Sequence, residues 1–338
     1  VTAMLSIGSN ACLAPPALPV SGRGVEPVLP PCQPPSTFAP RVQWTWNASA
    51  VVPTHTNVWS TPLVANLDDD DGSGRIDEND IPDVIFISLD TYSVADPGGS
   101  IAGVLRVLSG DTGREKFSVT TPRFADTSIP AVGDLDGDGR PEIVGLKWIP
   151  TPMGTGMGGI FGRYNVGTLV ALDNTGRLLW ESDPWSWPPE ISFNAAAPSL
   201  ADLDGDGFSE IILGRDVFDH RGRLVWRGAA DHGLAAAGPH SIVADIDLDG
   251  RPEVLAGGTA YRHDGSILWD ISSVRDGGTA VGMLDPLDPF PQVVIHTGTS
   301  LVVIDHLAMQ KWTASIPSMG PTTMLPVIAD FDGDGDGD

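Results

Sequence analysis

The chain has 338 residues, 41% of them apolar, enough to bury a large core as one repeat domain or two ordinary ones. Lys and Arg number 19 against 44 Asp and Glu, and a formal charge of −25 repels nucleic acid and anionic membrane surfaces. No apolar run reaches the ~18 residues of a membrane span, and 40 Gly with 30 Pro suit many short strands and turns better than helices.

Residues 1–40 are expected to be a Pro-rich leader or linker, marked by Pro15-Pro16, Pro30-Pro31 and Pro34-Pro35. Both cysteines, Cys12 and Cys32, lie here. Their pairing is open, and disulfides cannot hold the rest of the fold. Residues 1–20 carry no basic n-region, and Ser9-Asn10-Ala11 before Cys12 make a poor lipoprotein site. Asn47-Ala48-Ser49 matches a glycosylation sequon by pattern only.

From Arg41 one unit recurs, and residues 41–338 read as a single repeat array. Its first half is an apolar strand, an Asp-rich loop, and a second apolar strand opened by an acid. Three copies are near-identical: Asp134-x-Asp136-x-Asp138-Gly139-x-x-Glu142, Asp202-x-Asp204-x-Asp206-Gly207-x-x-Glu210 and Asp245-x-Asp247-x-Asp249-Gly250-x-x-Glu253. An expanded copy runs from Asn66 and Asp68 to Asp83. A degenerate copy holds Asp285 and Asp288. A sixth begins at Asp330, Asp332 and Asp334 and breaks off, so the sequence reads as a fragment. The second half of the unit is a strand, a Gly turn and an aromatic four residues on: Gly113 to Phe117, Gly176 to Trp180, Gly222 to Trp226, Gly265 to Trp269, with Ala308 to Trp312 as a worn copy. Aromatics at one phase of a repeat are expected to stack one unit on the next. The apolar runs are short and rich in Val, Ile and Leu, which favours strand over helix. Equivalent aspartates at 68, 136, 204, 247, 285 and 332 are 38 to 68 residues apart, the variation coming from insertions. Four strands per unit at this period predict an all-β fold of β-propeller blades.

Calcium takes about 6–8 oxygen ligands from carboxylates, carbonyls and water. In the regular loops three alternate aspartates converge, Gly139 or its equivalent permits the sharp turn, and the glutamate closes the shell. The carbonyls of Arg140, Phe208 and Arg251 are candidate ligands beside them. Without a cation so many carboxylates within a few ångströms would repel strongly. The first loop offers two registers. Asp69, Asp71, Ser73, Arg75, Asp77 and Asp80 match a twelve-position EF-hand-like pattern with Gly74 at position six. Asn66, Asp68, Asp70 and Asp83 keep the register of the other units, and whether the loop holds one ion or two is left open. The copy at Asp285 has Met283 at the first ligand position and Pro286 within the loop, and is expected to hold no metal.

These repeats resemble the FG-GAP/VCBS repeats of integrin α-subunit propellers and many bacterial surface proteins, over about residues 58–338. The resemblance implies a propeller of about seven blades in the full protein, truncated here, with calcium in the loop between the first two strands of a blade. The Gly-x-x-x-Trp halves also resemble, more weakly, the blade-end strands of quinoprotein propellers.

On a propeller the calcium loops lie on one face, and the insertions at 91–101, 148–165, 181–198 and 227–240 on the other. Trp185 and Trp187, outside the repeat phase, are candidate platforms for a polysaccharide or protein ligand. His232 and His240 fall on the same face, but no Ser-His-Asp set, HExxH or Cys-based site accompanies them. The primary expectation is therefore an extracellular, secreted or cell-surface adhesion module that binds calcium and does no catalysis. A polysaccharide lyase on a calcium propeller is the alternative, with Arg163, Tyr164, Arg227 and His232 as a thin basic set, and a quinoprotein oxidoreductase stands third.

Overall fold

The computed structural model describes residues 41–90, 102–125, 128–148, 166–186, 196–230, 239–274, 277–316 and 325–330. Cys12, Cys32, Trp187, His232, Asp332 and Asp334 lie outside the described residues, as do most of the four insertions. No helix among the described residues is long and apolar enough to cross a membrane.

The chain is all-β. Among the described residues five antiparallel sheets follow one another, each built on four strands taken in chain order. The first unit has strands Leu63–Ala65, Asp83–Leu89, Ala102–Ser109 and Glu115–Ala125, with the short Asn57–Val58 added beside the second strand. The second has Ala131–Gly133, Glu142–Leu146, Leu169–Leu172 and Leu178–Glu181. The third has Ser199–Ala201, Glu210–Leu213, Asp216–Phe218 and Leu224–Arg227. The fourth has Ile242–Ala244, Glu253–Ala256, Thr259–Tyr261 and Ile267–Asp270. The fifth has Gly278–Gly282, Gln292–His296, Ser300–Ile304 and Gln310–Ser315. A separate two-stranded pairing joins Trp185–Ser186 to Val166–Gly167.

The continuous apolar runs of the second strands are explained by burial on both faces. In the first sheet Ile85 and Ile87 point to the second unit and pack with Ile143, Val170 and Leu172. The next residue of the second unit's strand, Val144, faces the other way, against Ile211 and Leu213. Ile212 continues the alternation towards Val254 and Tyr261, and Leu255 towards Val293 and Ile295. Period-two alternation thus distributes each strand between two neighbours. Each buried Ile, Leu or Val contributes ~1.5–3 kcal/mol. The first strands of successive sheets are in mutual contact, from Leu63–Ala65 through to Gly278–Gly282.

The repeat-phase aromatics join the units. A β-carbon at Gly176 would stand 2.7 Å from Phe117, at Gly222 2.5 Å from Trp180, and at Gly265 2.8 Å from Trp226. Trp226 Nε1 also donates to the carbonyl of His263 (2.9 Å), and Trp269 Nε1 to that of His306 (3.2 Å). So the aromatic of one unit rests on the turn of the next. The segment before the first sheet makes the same contact: Trp44 lies on the turn glycine Gly113, at 2.5 Å from a β-carbon there, and donates to the Gly110 carbonyl at 2.8 Å. Trp44 and Trp46 cover the outer face of the first sheet at Val84, Phe86 and Leu108. Beneath Trp46 the fully buried Arg106 donates to Ser88, Ser49, Ser118 and Glu115 (2.8–3.3 Å), tying this segment to the sheet.

Candidate metal centres

In the second, third and fourth units the loop between the first two strands has one internal design. The first aspartate folds the loop around itself. Asp134 accepts from the amides of Gly137 and Gly139 (both 2.8 Å), and Asp202 from Gly205 (2.7 Å) and Gly207 (3.0 Å). Asp245 accepts from Asp249 (3.1 Å) and Gly250 (2.9 Å). The third aspartate caps the turn: the amides of Arg140, Phe208 and Arg251 donate to Asp138, Asp206 and Asp249 at 2.8–2.9 Å. Gly139, Gly207 and Gly250 all have φ of 83–90°, the left-handed region that a side chain resists. Gly137 and Gly205 are left-handed too. The fourth unit carries Leu248 there, at φ 58°.

The glutamate that opens each second strand faces inward. Glu142, Glu210 and Glu253 are 5%, 8% and 3% exposed, and each accepts from the backbone amide following the first aspartate: Leu135, Leu203 and Ile246, at 2.9–3.0 Å. Burial, followed by the charges of the three loop aspartates, pushes each glutamate up to about 7 against that hydrogen bond. Carboxylate oxygens of Asp134, Asp136 and Glu142 lie within 4.8 Å of one another, as do those of Asp202, Asp204 and Asp206, and of Asp245, Asp247 and Glu253. The donor set is all oxygen, the chemistry of hard divalent cations.

In the first unit the two registers meet different partners. Asp69, Asp71 and Asp80 bring oxygens within 4.8 Å of one another. Asp80, 4% exposed, accepts from the amides of Asp77, Asp70 and Asp71 at 2.8–3.2 Å, and these amides hold its carboxyl below the usual range. Gly74 donates to Asp69 (2.7 Å), and Ser73 both donates to the Arg75 carbonyl (3.1 Å) and takes its own amide to Asp71 (2.7 Å). The other register assembles around a side chain. Lys116 Nζ stands 2.6 Å from Asp83 Oδ1 and 3.8 Å from Asp70 Oδ2, and donates to Asp68. Asn66 turns away and donates to the Asp77 carbonyl. Burial raises Asp83 to about 6 despite the lysine. Burial would lower Lys116, but its bonds to Asp68 and Asp83 outweigh it and hold the ammonium above its ordinary value.

The degenerate fifth loop also closes on a lysine. Lys311 Nζ lies 2.9 Å from Asp285 Oδ2 and 2.6 Å from Asp288 Oδ2. At the glutamate position stands Gln292, fully buried, accepting from the amides of Leu284 and Asp285 at 2.7 and 3.0 Å. Sequence reasoning passes over both lysines, since one basic residue in an outer strand reads as a solvated face. Their shared signal is position: each immediately precedes the repeat-phase aromatic, Phe117 or Trp312. Of the sixth loop only Asp330 is described, and it is exposed. Trp185 is described only through its pairing with Gly167.

No protein-family model matches the chain, nor does any curated protein. Among solved structures it is similar to the V. cholerae biofilm matrix protein Bap1, at 28% identity and a TM-score of 0.65, over 83% of this chain and 43% of Bap1. The chain therefore spans less than half the length of that protein. It also matches rhamnogalacturonan lyase YesW (20% identity, TM-score 0.48, 78% of this chain and 48% of that one) and the Bacillus licheniformis rhamnogalacturonan lyase PL11 (20%, 0.46, 78% and 47%).

Proposed function

We propose that this chain is an extracellular, calcium-binding interaction module without catalytic activity, built as a β-propeller of FG-GAP/VCBS-type blades. The observation that carries the reading is the buried glutamate of the three regular loops. Glu142, Glu210 and Glu253 each sit beside clustered aspartates with their ordinary acidity suppressed to about 7. A divalent cation reverses that electrostatic situation, since it favours every one of these carboxylates in its charged form. Asp134, Asp136 and Glu142 would supply three ligands with Asp138 and the Arg140 carbonyl beside them. In the fourth unit Asp245, Asp247 and Glu253 would serve likewise with the Arg251 carbonyl, and in the third Asp202, Asp204 and Asp206 would, with Glu210 and the Phe208 carbonyl beside them. The Asp69, Asp71 and Asp80 loop is a fourth candidate. The Asn66, Asp68, Asp70 and Asp83 register is not retained, because a lysine ammonium already stands among its carboxylates.

Propeller architecture is favoured by the contact between successive first strands and by the two-sided burial of every second strand. Extracellular placement and a matrix partner are favoured by the likeness to Bap1, a biofilm matrix protein. A polysaccharide or protein ligand would meet the insertion-loop face.

The test is equilibrium dialysis against calcium, with thermal unfolding in calcium and in excess chelator. Binding of at least three ions and a melt raised by several degrees, reversibly, is expected; site occupancy at 100 times Kd adds about 2.7 kcal/mol per ion. Absence of bound calcium and an unchanged melt would remove the reading. Incubation with acidic polysaccharides, scanned for unsaturated products, tests the non-catalytic part, and product formation would favour a lyase instead.

A further inference from the structure

Five units place five residues at the position before the repeat-phase aromatic: Lys116, Leu179, Val225, Leu268 and Lys311. They place five others at the head of the second strand: Asp83, Glu142, Glu210, Glu253 and Gln292, all buried. The two positions vary together. Where the strand opens with Glu, the position before the aromatic is apolar. Where it opens with Asp or Gln, that position is lysine, and the ammonium reaches the loop of its own unit. Lys116 lies among Asp68, Asp70 and Asp83, and Lys311 between Asp285 and Asp288. Carboxylates drawn together by the fold need a positive charge near their centre. In these two units the fold supplies it covalently.

We propose that Lys116 and Lys311 are the resident cations of the first and fifth units, standing where the three units between them take a divalent ion. This inference rests on the calcium reading for the middle units alone. The loop carboxylates of Asp68, Asp70 and Asp83 then share one positive charge at any calcium concentration, as do those of Asp285 and Asp288. Dependence on the ion then rests on the stretch from Asp134 to Glu253 and on the separate Asp69, Asp71 and Asp80 loop of the first unit.

The experiment replaces each lysine in the full chain by methionine, similar in length and uncharged. For Lys116→Met the melting temperature in excess chelator should fall below the wild type's. Calcium should recover most of that deficit, and dialysis should count one more bound ion than in the wild type, because Asp68, Asp70 and Asp83 are left for it. Adding Asp83→Asn should abolish the extra ion. For Lys311→Met the chelator melt should also fall, and Lys311→Leu with Gln292→Glu should give the fifth unit a calcium-dependent melt of its own. Lysine variants that melt like the wild type in chelator would overturn the proposal. So would a Lys116→Met protein that binds no additional ion and is not rescued. A wild type that binds no calcium removes the calcium reading, and the equivalence with it, a failure told apart by the wild-type ion count alone.

Discussion

The indole of Trp180 rests on the turn glycine of the following unit, Gly222, which has φ 75° and no room for a β-carbon: one built there would stand 2.5 Å from the ring. The contact fixes two requirements at one position, a left-handed backbone and a flat surface. Gly222→Ala is therefore expected to lose about 2–4 kcal/mol, from the strained conformation and the displaced ring together. Gly298→Ala is the control. Its φ is 89° but nothing lies within 4 Å, so about 1 kcal/mol is expected. Urea unfolding of the two variants checks the difference.

Leu248 occupies a left-handed position (φ 58°) that Gly137 and Gly205 fill in the neighbouring units, and its side chain is 56% exposed. Leu248→Gly should therefore stabilise the protein by about 1 kcal/mol, the opposite of the usual effect of glycine. A raised urea midpoint with an unchanged slope is the expected outcome.

Arg106 is fully buried and holds Ser49 and Glu115 around one guanidinium, with Trp46 over it. Arg106→Met should cost about 3 kcal/mol, since Glu115 is left without its cation. Residues 41–60 should also become the first site of cleavage in limited proteolysis. A variant cut elsewhere first would show that this arginine does not anchor the segment.

The pH dependence of the metal-free protein follows from three glutamates. Glu142, Glu210 and Glu253 are raised from 4.5 to about 7 in the fold. Between those values the native state holds protons that the unfolded chain has released, so stability falls as pH rises from about 4.5 through 7. In chelator the melting temperature should decline over this range. In saturating calcium the decline should vanish or reverse, because binding requires the ionised forms. Calorimetry of the triple Glu→Gln variant in chelator should show a flattened profile, and a profile that keeps its slope would assign the titration to other groups.

Much of this arrangement is legible in the chain because the loops carry their own geometry. Asp134, Gly139 and Glu142 recur at fixed spacing, and the backbone needs those residue types there to turn and to close. The aromatics at 180, 226 and 269 are legible through phase alone, and their role in joining units is what the structure displays. The lysines are not. Lys116 is 33 residues from Asp83 along the chain, and only the return of the fourth strand beside its own loop brings them together. Arg106 is hidden for a related reason. It interrupts an apolar strand, and its partners Ser49 and Ser88 come from distant segments whose approach no local pattern announces. The two registers of the first loop are equally readable as sequences, and Lys116, which reaches Asp68, Asp70 and Asp83, comes from a strand that neither register includes.

Every junction between units is one-way: an aromatic projects forward and a tight turn receives it, a glycine turn at Gly176, Gly222 and Gly265 and the Ala308 turn after Trp269. Surfaces of this kind are not self-complementary, so copies could add head to tail without limit, as in a filament. Trp44 bears on that hazard. It fills the seat at Gly113 with a ring from the same chain, and with Trp46 it covers the face that a second molecule's last aromatic would otherwise find. The first sheet thus receives, from the segment that precedes it, the same kind of contact that joins each unit to the next.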